Sequence, residues 1–274
     1  MGRIGGGAAA TRGFRVAALL AAAAVLSACS SFGSDVDVQR TALRTTVPAD
    51  VGVSSALTGV VTTPEDHAIQ GIDVSKYQGT VDWAAVRAAG VSFAYIKATE
   101  GGDRVDDRFA ENWAAAKAAG VPRGAYHFYY FCRTGAEQAA WFIRNVPRDP
   151  EALPVVLDME WNHTSPTCRR QPPAAEVQRE MSSFLRIVEK HYGKRPVIYT
   201  SVDFHRDALV GAFQTHQFWL RSVAGHPSAK FSDRSFAIWQ HTATGQVPGV
   251  TGFVDRNVFV GSTDNWRRFA STGF

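Results

Sequence analysis

Asp158 and Glu160, two positions apart in the apolar stretch PVVLDMEW at 154–161, are the acidic pair best placed to do chemistry in this 274-residue chain. In an extended strand alternate side chains share a face, so the two carboxyl groups point the same way. Crowded and poorly solvated, they repel, and at least one must hold its proton to higher pH than an ordinary carboxyl. A carboxylic acid beside an ionised carboxylate is the pair that glycosidic bond cleavage uses. The same spacing also fits a structural network with arginines or helix ends. Two more acids, Asp73 in GIDVS and Asp255 in FVDRNVF, lie in similar apolar runs, and their convergence with the first pair favours the chemical reading. The histidines form no HxxxH or HExxH and no CxxC is present, so neither a metal nor another cofactor is implied. His127 within YHFYY reads as a hydrogen-bonded packing residue.

Convergence requires elements that bring distant segments to one place. Short apolar runs that read as buried strands begin near Ile72, Phe93, Gly124, Pro154, Pro196, Gln217, Phe236 and Phe253. Helix-like segments fall between the early ones, over Trp83–Ala89, Asp106–Ala119, Ala136–Asn145 and Ala174–Tyr192, with a fifth over Phe204–Phe213. Gly90, Gly120 and Gly193 follow three of them as C-terminal caps. Alternation of this kind predicts an α/β fold with a parallel sheet, and eight strands suggest closure. The last intervals leave little room for crossover helices. The expectation is therefore an irregular TIM-like barrel of about five βα units followed by three strands, with Asp73, Asp158, Glu160 and Asp255 at the strand ends where such barrels do chemistry. An open doubly wound sheet is the alternative, but no GxGxxG or GxxxxGK[ST] follows any strand.

The barrel is expected over residues 67–274. Residues 1–28 carry Arg3, Arg12 and Arg15, no acidic residue and the apolar stretch Val16–Leu26, which together read as an export signal. Its end, Leu26-Ser27-Ala28-Cys29, resembles the lipobox of bacterial lipoproteins and implies lipidation of Cys29 and attachment to a membrane. An ordinary secretory signal is the alternative. Residues 29–66 are poor in aromatic side chains and read as a flexible tether. Without the leader the 29 Lys and Arg fall to 26 against 25 Asp and Glu, which gives no electrostatic reason to expect nucleic acid. In an exported domain Cys132 and Cys168, on loops after neighbouring strands, are expected to form a disulfide that pins the loop with His163, Pro166 and Pro172.

The strand segments GIDVSKYQG (71–79), YIKATEG (95–101), GAYHFYY (124–130), VLDMEW (156–161), IYTS (198–201), FWL (218–220), WQHT (239–242) and VDRNVF (254–259) resemble, in order, the motifs of glycoside hydrolase family 25, lysozymes that cut peptidoglycan. The resemblance implies a muramidase acting on the β-1,4 bond between N-acetylmuramic acid and N-acetylglucosamine. It places the general acid on Glu160 and makes Asp158, Asp73 and Asp255 the other active-site carboxylates. The attacking group is left open between a carboxylate and the substrate's own acetamido group, with Asp158 or Asp255 orienting the latter. Tyr126, Tyr199, Trp219, Trp239, Gln240 and Glu100 stand at matching strand ends as expected sugar contacts. After the sixth strand WLRSVAGHP departs from the more common alanine and aromatic sequence by placing Arg221 and a turn there. A monomer with peptidoglycan strands as partner follows. A glycosidase of another N-acetylated polymer and a non-catalytic glycan-binding module remain alternatives, although the DxxDxDxE run of family 18 chitinases is missing before Glu160.

Overall fold

The computed structural model describes residues 61–274. The leader, Cys29 and the tether up to residue 60 lie outside the described residues. At the end of the tether segment, Pro64–Asp66 form a 3-10 turn that Gln70 Nε2 ties to the barrel by donating to the Pro64 carbonyl at 2.9 Å.

In chain order the elements are β1 (Gln70–Val74), α1 (Trp83–Ala88), β2 (Phe93–Glu100), β3 (Arg104–Val105), α2 (Phe109–Ala118), β4 (Arg123–Phe128), α3 (Gly135–Asn145), β5 (Val156–Met159), α4 (Ala174–Tyr192) and β6 (Val197–Thr200). They continue with α5 (Val202–Phe204), which runs into a π-helical turn at His205–Leu209, then β7 (Phe218–Arg221), β8 (Ile238–Gly245), β9 (Val254–Phe259) and α6 (Thr263–Thr272). The strand order is β1-β9-β8-β7-β6-β5-β4-β2-β3, and a further β1–β2 pairing closes eight strands into a ring with β3 as a short hairpin appendage. Five βα units are followed by three strands, as the spacing predicts.

Besides the β3 appendage, two features differ from the expected layout. The ring is parallel except at β9, which runs antiparallel to both β1 and β8. A β8–β9 turn of only eight residues allows no crossover, so the chain must reverse. The second feature is α6, which the strand spacing does not announce. Its sequence TDNWRRFAST is polar, but Trp266 and Phe269 close the barrel floor against Phe93 and Phe259. Ser262 caps it and Gly273 ends it in the left-handed region at φ 83°.

Side-chain alternation sorts the residues into two cores. Ile72, Ile96, Leu157, Ile198 and Leu220 face outward and pack against the helices. Phe93, Tyr95, Val156, Val197, Tyr199, Trp219, Ile238 and Phe259 face inward. Gly124 is required by this interior, because a Cβ there would lie 2.2 Å from the Tyr95 ring. His127 faces outward, fully buried against Phe142 and Phe184 and hydrogen-bonded to Thr99 and Gln138, in keeping with a packing role.

Candidate active site

Along each inward-facing row the side chains change from apolar to polar. On β5, Val156 belongs to the inner core, Asp158 follows it two residues later and Glu160 follows just past the strand end. β2 adds Lys97 above Phe93 and Tyr95, β7 adds Arg221 above Trp219, and β8 adds Gln240 above Ile238. β1 and β9 bring Asp73 and Asp255 directly opposite each other in antiparallel register. All of these polar groups line one cavity of about 660 Å³. The four acids that the sequence singles out are therefore brought together by three strands.

Burial works against ionisation throughout this cluster. It raises Asp73 to about 8, helped by the neighbouring charge of Asp255 and opposed by amide hydrogen bonds. Asp158 is pushed well above the ordinary carboxylate range by burial and then by Glu160. Glu160 and Asp255 are also raised by burial, and the guanidinium of Arg221 pulls both partly back. Burial tends to raise Glu100 as well. There the ammonium of Lys97 at 2.7 Å and the hydroxyl of Tyr130 at 3.3 Å outweigh it and keep the carboxyl low.

A chain of directional hydrogen bonds fixes Asp73. The indole N–H of Trp219 can only donate, and it donates to Asn257 Oδ1 at 2.8 Å. That turns the Asn257 amide so that Nδ2 donates to Asp73 Oδ2 at 2.8 Å. On the other side the Tyr199 hydroxyl donates to Gln240 Oε1 at 3.0 Å, and Gln240 Nε2 donates to the same Asp73 oxygen at 3.0 Å. Asp158 is different. Its Oδ1 is buried with no hydrogen-bond partner among the described residues, an expensive state unless a ligand supplies a donor.

The remaining expected sites divide. Tyr126, Tyr199, Trp219, Gln240 and Glu100 line the cavity. Trp239 does not: its neighbour Gln240 faces inward, so alternation sends the indole outward, where it is buried, donates to the Ser222 carbonyl at 2.8 Å and packs on His226. Cys132 and Cys168 form a disulfide. It anchors the segment after β5, of which Asn162, Thr164, Ser165 and Pro166 form one cavity wall. Ser165 folds this segment tightly, its hydroxyl accepting from the backbone N–H of Cys168 at 3.0 Å. Lys97, Tyr130 and Asn257 are site residues that the motif reading passes over. The first could have been found from its place two residues after the inward Tyr95, and the last from its place two residues after Asp255.

The glycosyl hydrolases family 25 model matches residues 72–250. The chain belongs to glycoside hydrolase family 25. It is 37% identical over 206 residues to lysozyme M1 of Streptomyces globisporus, covering 72% of this chain and 70% of that relative. Among solved structures, the family 25 glycosyl hydrolase from Bacillus anthracis superposes with a TM-score of 0.70 at 34% identity, over 77% of this chain and 97% of that one. The bacterial lysozyme from Streptomyces coelicolor gives 0.68 at 36% identity, over 74% and 97%. Family 25 membership makes the chain a glycoside hydrolase, and the TIM-like barrel is the fold it shares with these neighbours.

Proposed function

We propose that this family 25 enzyme is an N-acetylmuramidase that hydrolyses the β-1,4 bond between N-acetylmuramic acid and N-acetylglucosamine in peptidoglycan. The observation that carries the reading is the pair of Asp158 on β5 and Glu160 just past its end, both lining a cleft whose burial raises both carboxyl groups. Burial lets Glu160 hold its proton to higher pH than an ordinary carboxyl, and it donates that proton to the departing glycosidic oxygen. The substrate acetamido oxygen attacks the anomeric carbon as that bond breaks. Asp158 Oδ1, unpartnered in the protein, accepts the acetamido N–H, which orients the group for attack. Glu160, now ionised, takes a proton from the water that opens the ring, and the anomeric configuration is retained. Asp255 adds negative potential beside the Asp158–Glu160 pair, and Asp73, whose proton burial retains to about pH 8, stands opposite it on β1. Tyr126, Tyr199 and Trp219 offer flat faces to the sugars, and Glu100 a hydrogen-bond acceptor. Gln240 acts through Asp73, since both ends of its amide are engaged within the protein.

Glu160→Gln is expected to lower muropeptide release from purified cell walls by at least about 100-fold while wall binding persists. Mass spectrometry of wild-type digests should show muramic acid at the new reducing ends. Undiminished release by the variant would end the assignment of the acid. We further propose that the domain works as a monomer, exported and held to a membrane through lipidated Cys29. Labelling with a palmitate analogue should mark the wild type and not Cys29→Ala; equal labelling would leave simple secretion.

A further inference from the structure

We propose that Arg221 is a specificity-determining residue that captures a carboxylate carried by the glycan, an inference that rests on the peptidoglycan reading above. β7 places it: Trp219 faces the barrel interior, Arg221 follows two residues later on the same face, and its backbone neighbour across the ladder is Gln240. It is half-buried at the cleft wall. Two cationic side chains line this cavity, Lys97 and Arg221. Lys97 is committed to Glu100 at 2.7 Å. Arg221 forms no side-chain hydrogen bond or ion pair with any described residue, although Glu160 and Asp255 lie near enough to feel its charge.

A half-buried guanidinium with five N–H donors and no protein acceptor is costly to maintain for packing alone. Its planar fork matches a carboxylate bidentately. The acids around it do not forbid an anion, because burial keeps Asp73 and Asp158 neutral to higher pH than exposed acids and so reduces the repulsion. The glycan offers such a carboxylate in two forms. One is the lactyl group of a muramic acid that has lost its peptide. The other is a free carboxylate on the stem peptide that otherwise caps that group.

The test uses three glycans: peptide-free strands with a free lactyl carboxylate, the same strands with that carboxylate converted to a methyl amide, and strands bearing a short acidic stem. Binding is measured by calorimetry in the Glu160→Gln background, with and without Arg221→Ala or Arg221→Lys. Arg221→Ala is expected to weaken binding roughly tenfold on a carboxylate-bearing glycan and by less than about twofold on the methyl amide, with partial rescue by Arg221→Lys. Loss confined to peptide-free strands assigns the lactyl group, and loss confined to stem-bearing strands assigns the peptide; either supports the proposal. Equal loss on all three, no loss on any, or no binding to any overturns it. Hydrolysis by the otherwise wild-type enzyme is followed separately, as KM against kcat and across pH. A failure to cleave any of the glycans counts against the muramidase reading, while carboxylate-selective binding would still uphold Arg221. A pH profile displaced alike on every glycan, without a change in KM, would reduce Arg221 to an electrostatic neighbour of Glu160.

Discussion

Asp73 shows how a single side chain couples stability to pH. Its carboxyl accepts two amide N–H groups, is nearly buried, and has its pKa raised to about 8, above the unfolded value. The folded protein therefore holds this proton where the unfolded chain has lost it. The stabilisation is complete at low pH and is lost as pH rises through 8. His67, His127, His205, His216, His226 and His241 are all lowered by burial and act in the opposite sense, costing stability as pH falls below about 6.5. Between about pH 6.5 and 8 the carboxyl should dominate, so unfolding free energy should drop by about 1–2 kcal/mol across that window in the wild type. Asp73→Asn should reduce the drop, and the part that remains belongs to Asp158, Glu160 and Asp255, which burial raises in the same sense. Urea titrations at the two pH values check it, and an equal slope in both proteins would refute it. The Asp158–Glu160 spacing alone would fit a structural network as well; it is the appearance of Asp73 and Asp255 in similar apolar runs that makes the cluster legible from the sequence. Asn257 is not, because its role exists only once β1 and β9 bring it to Asp73. Trp239 illustrates the opposite error: it and Gln240 are adjacent, and adjacent strand residues cannot both face one cleft.

Among the elements, the α3–α4 crossing leaves no room for a side chain at Gly135. A Cβ on Gly135 would lie 2.0 Å from the Glu180 carbonyl oxygen, and the Gly135 N–H already donates to the Glu180 carboxylate at 2.9 Å. Gly135→Ala must push the helices apart and should destabilise by about 1–3 kcal/mol, seen as a melting temperature several degrees lower. Unchanged melting would mean that the crossing relaxes freely. Strands β1, β2 and β4 to β8 and helices α1 to α4 are legible because apolar runs, helical spacing and terminal glycines agree with one another. The fifth helix is shorter than its apolar pattern, giving way to a π-helical turn at His205–Leu209. The direction of β9 and the presence of α6 have weak local signatures. One is decided by a short turn, the other by two aromatic side chains that matter only beneath a finished barrel.

At the scale of the molecule, the disulfide joins the loop after β4 to the segment after β5, and through it one wall of the cleft is held in place. Cysteines 36 residues apart close a loop whose removal from the unfolded ensemble is worth about 4 kcal/mol on chain entropy alone. Cys132→Ala with Cys168→Ala should cost about 2–4 kcal/mol in urea unfolding and, on the proposed muramidase reading, raise KM more than it lowers kcat, because the wall lines the cleft and holds no reacting acid. An unchanged KM would separate the bridge from the cleft.

The ring closes between positions far apart in time as well as in sequence. Gln70 pairs with Val258, and both amides that hold Asp73 come from positions 240 and 257. Contacts of such long separation form late, since the chain entropy must be overcome before they are rewarded. The outer βα units can fold as the chain emerges, while the acid of the first strand waits for the last. In refolding, helical signal should return before hydrolytic activity, and the lag between them measures how long the catalyst exists as a nearly complete barrel with no working site.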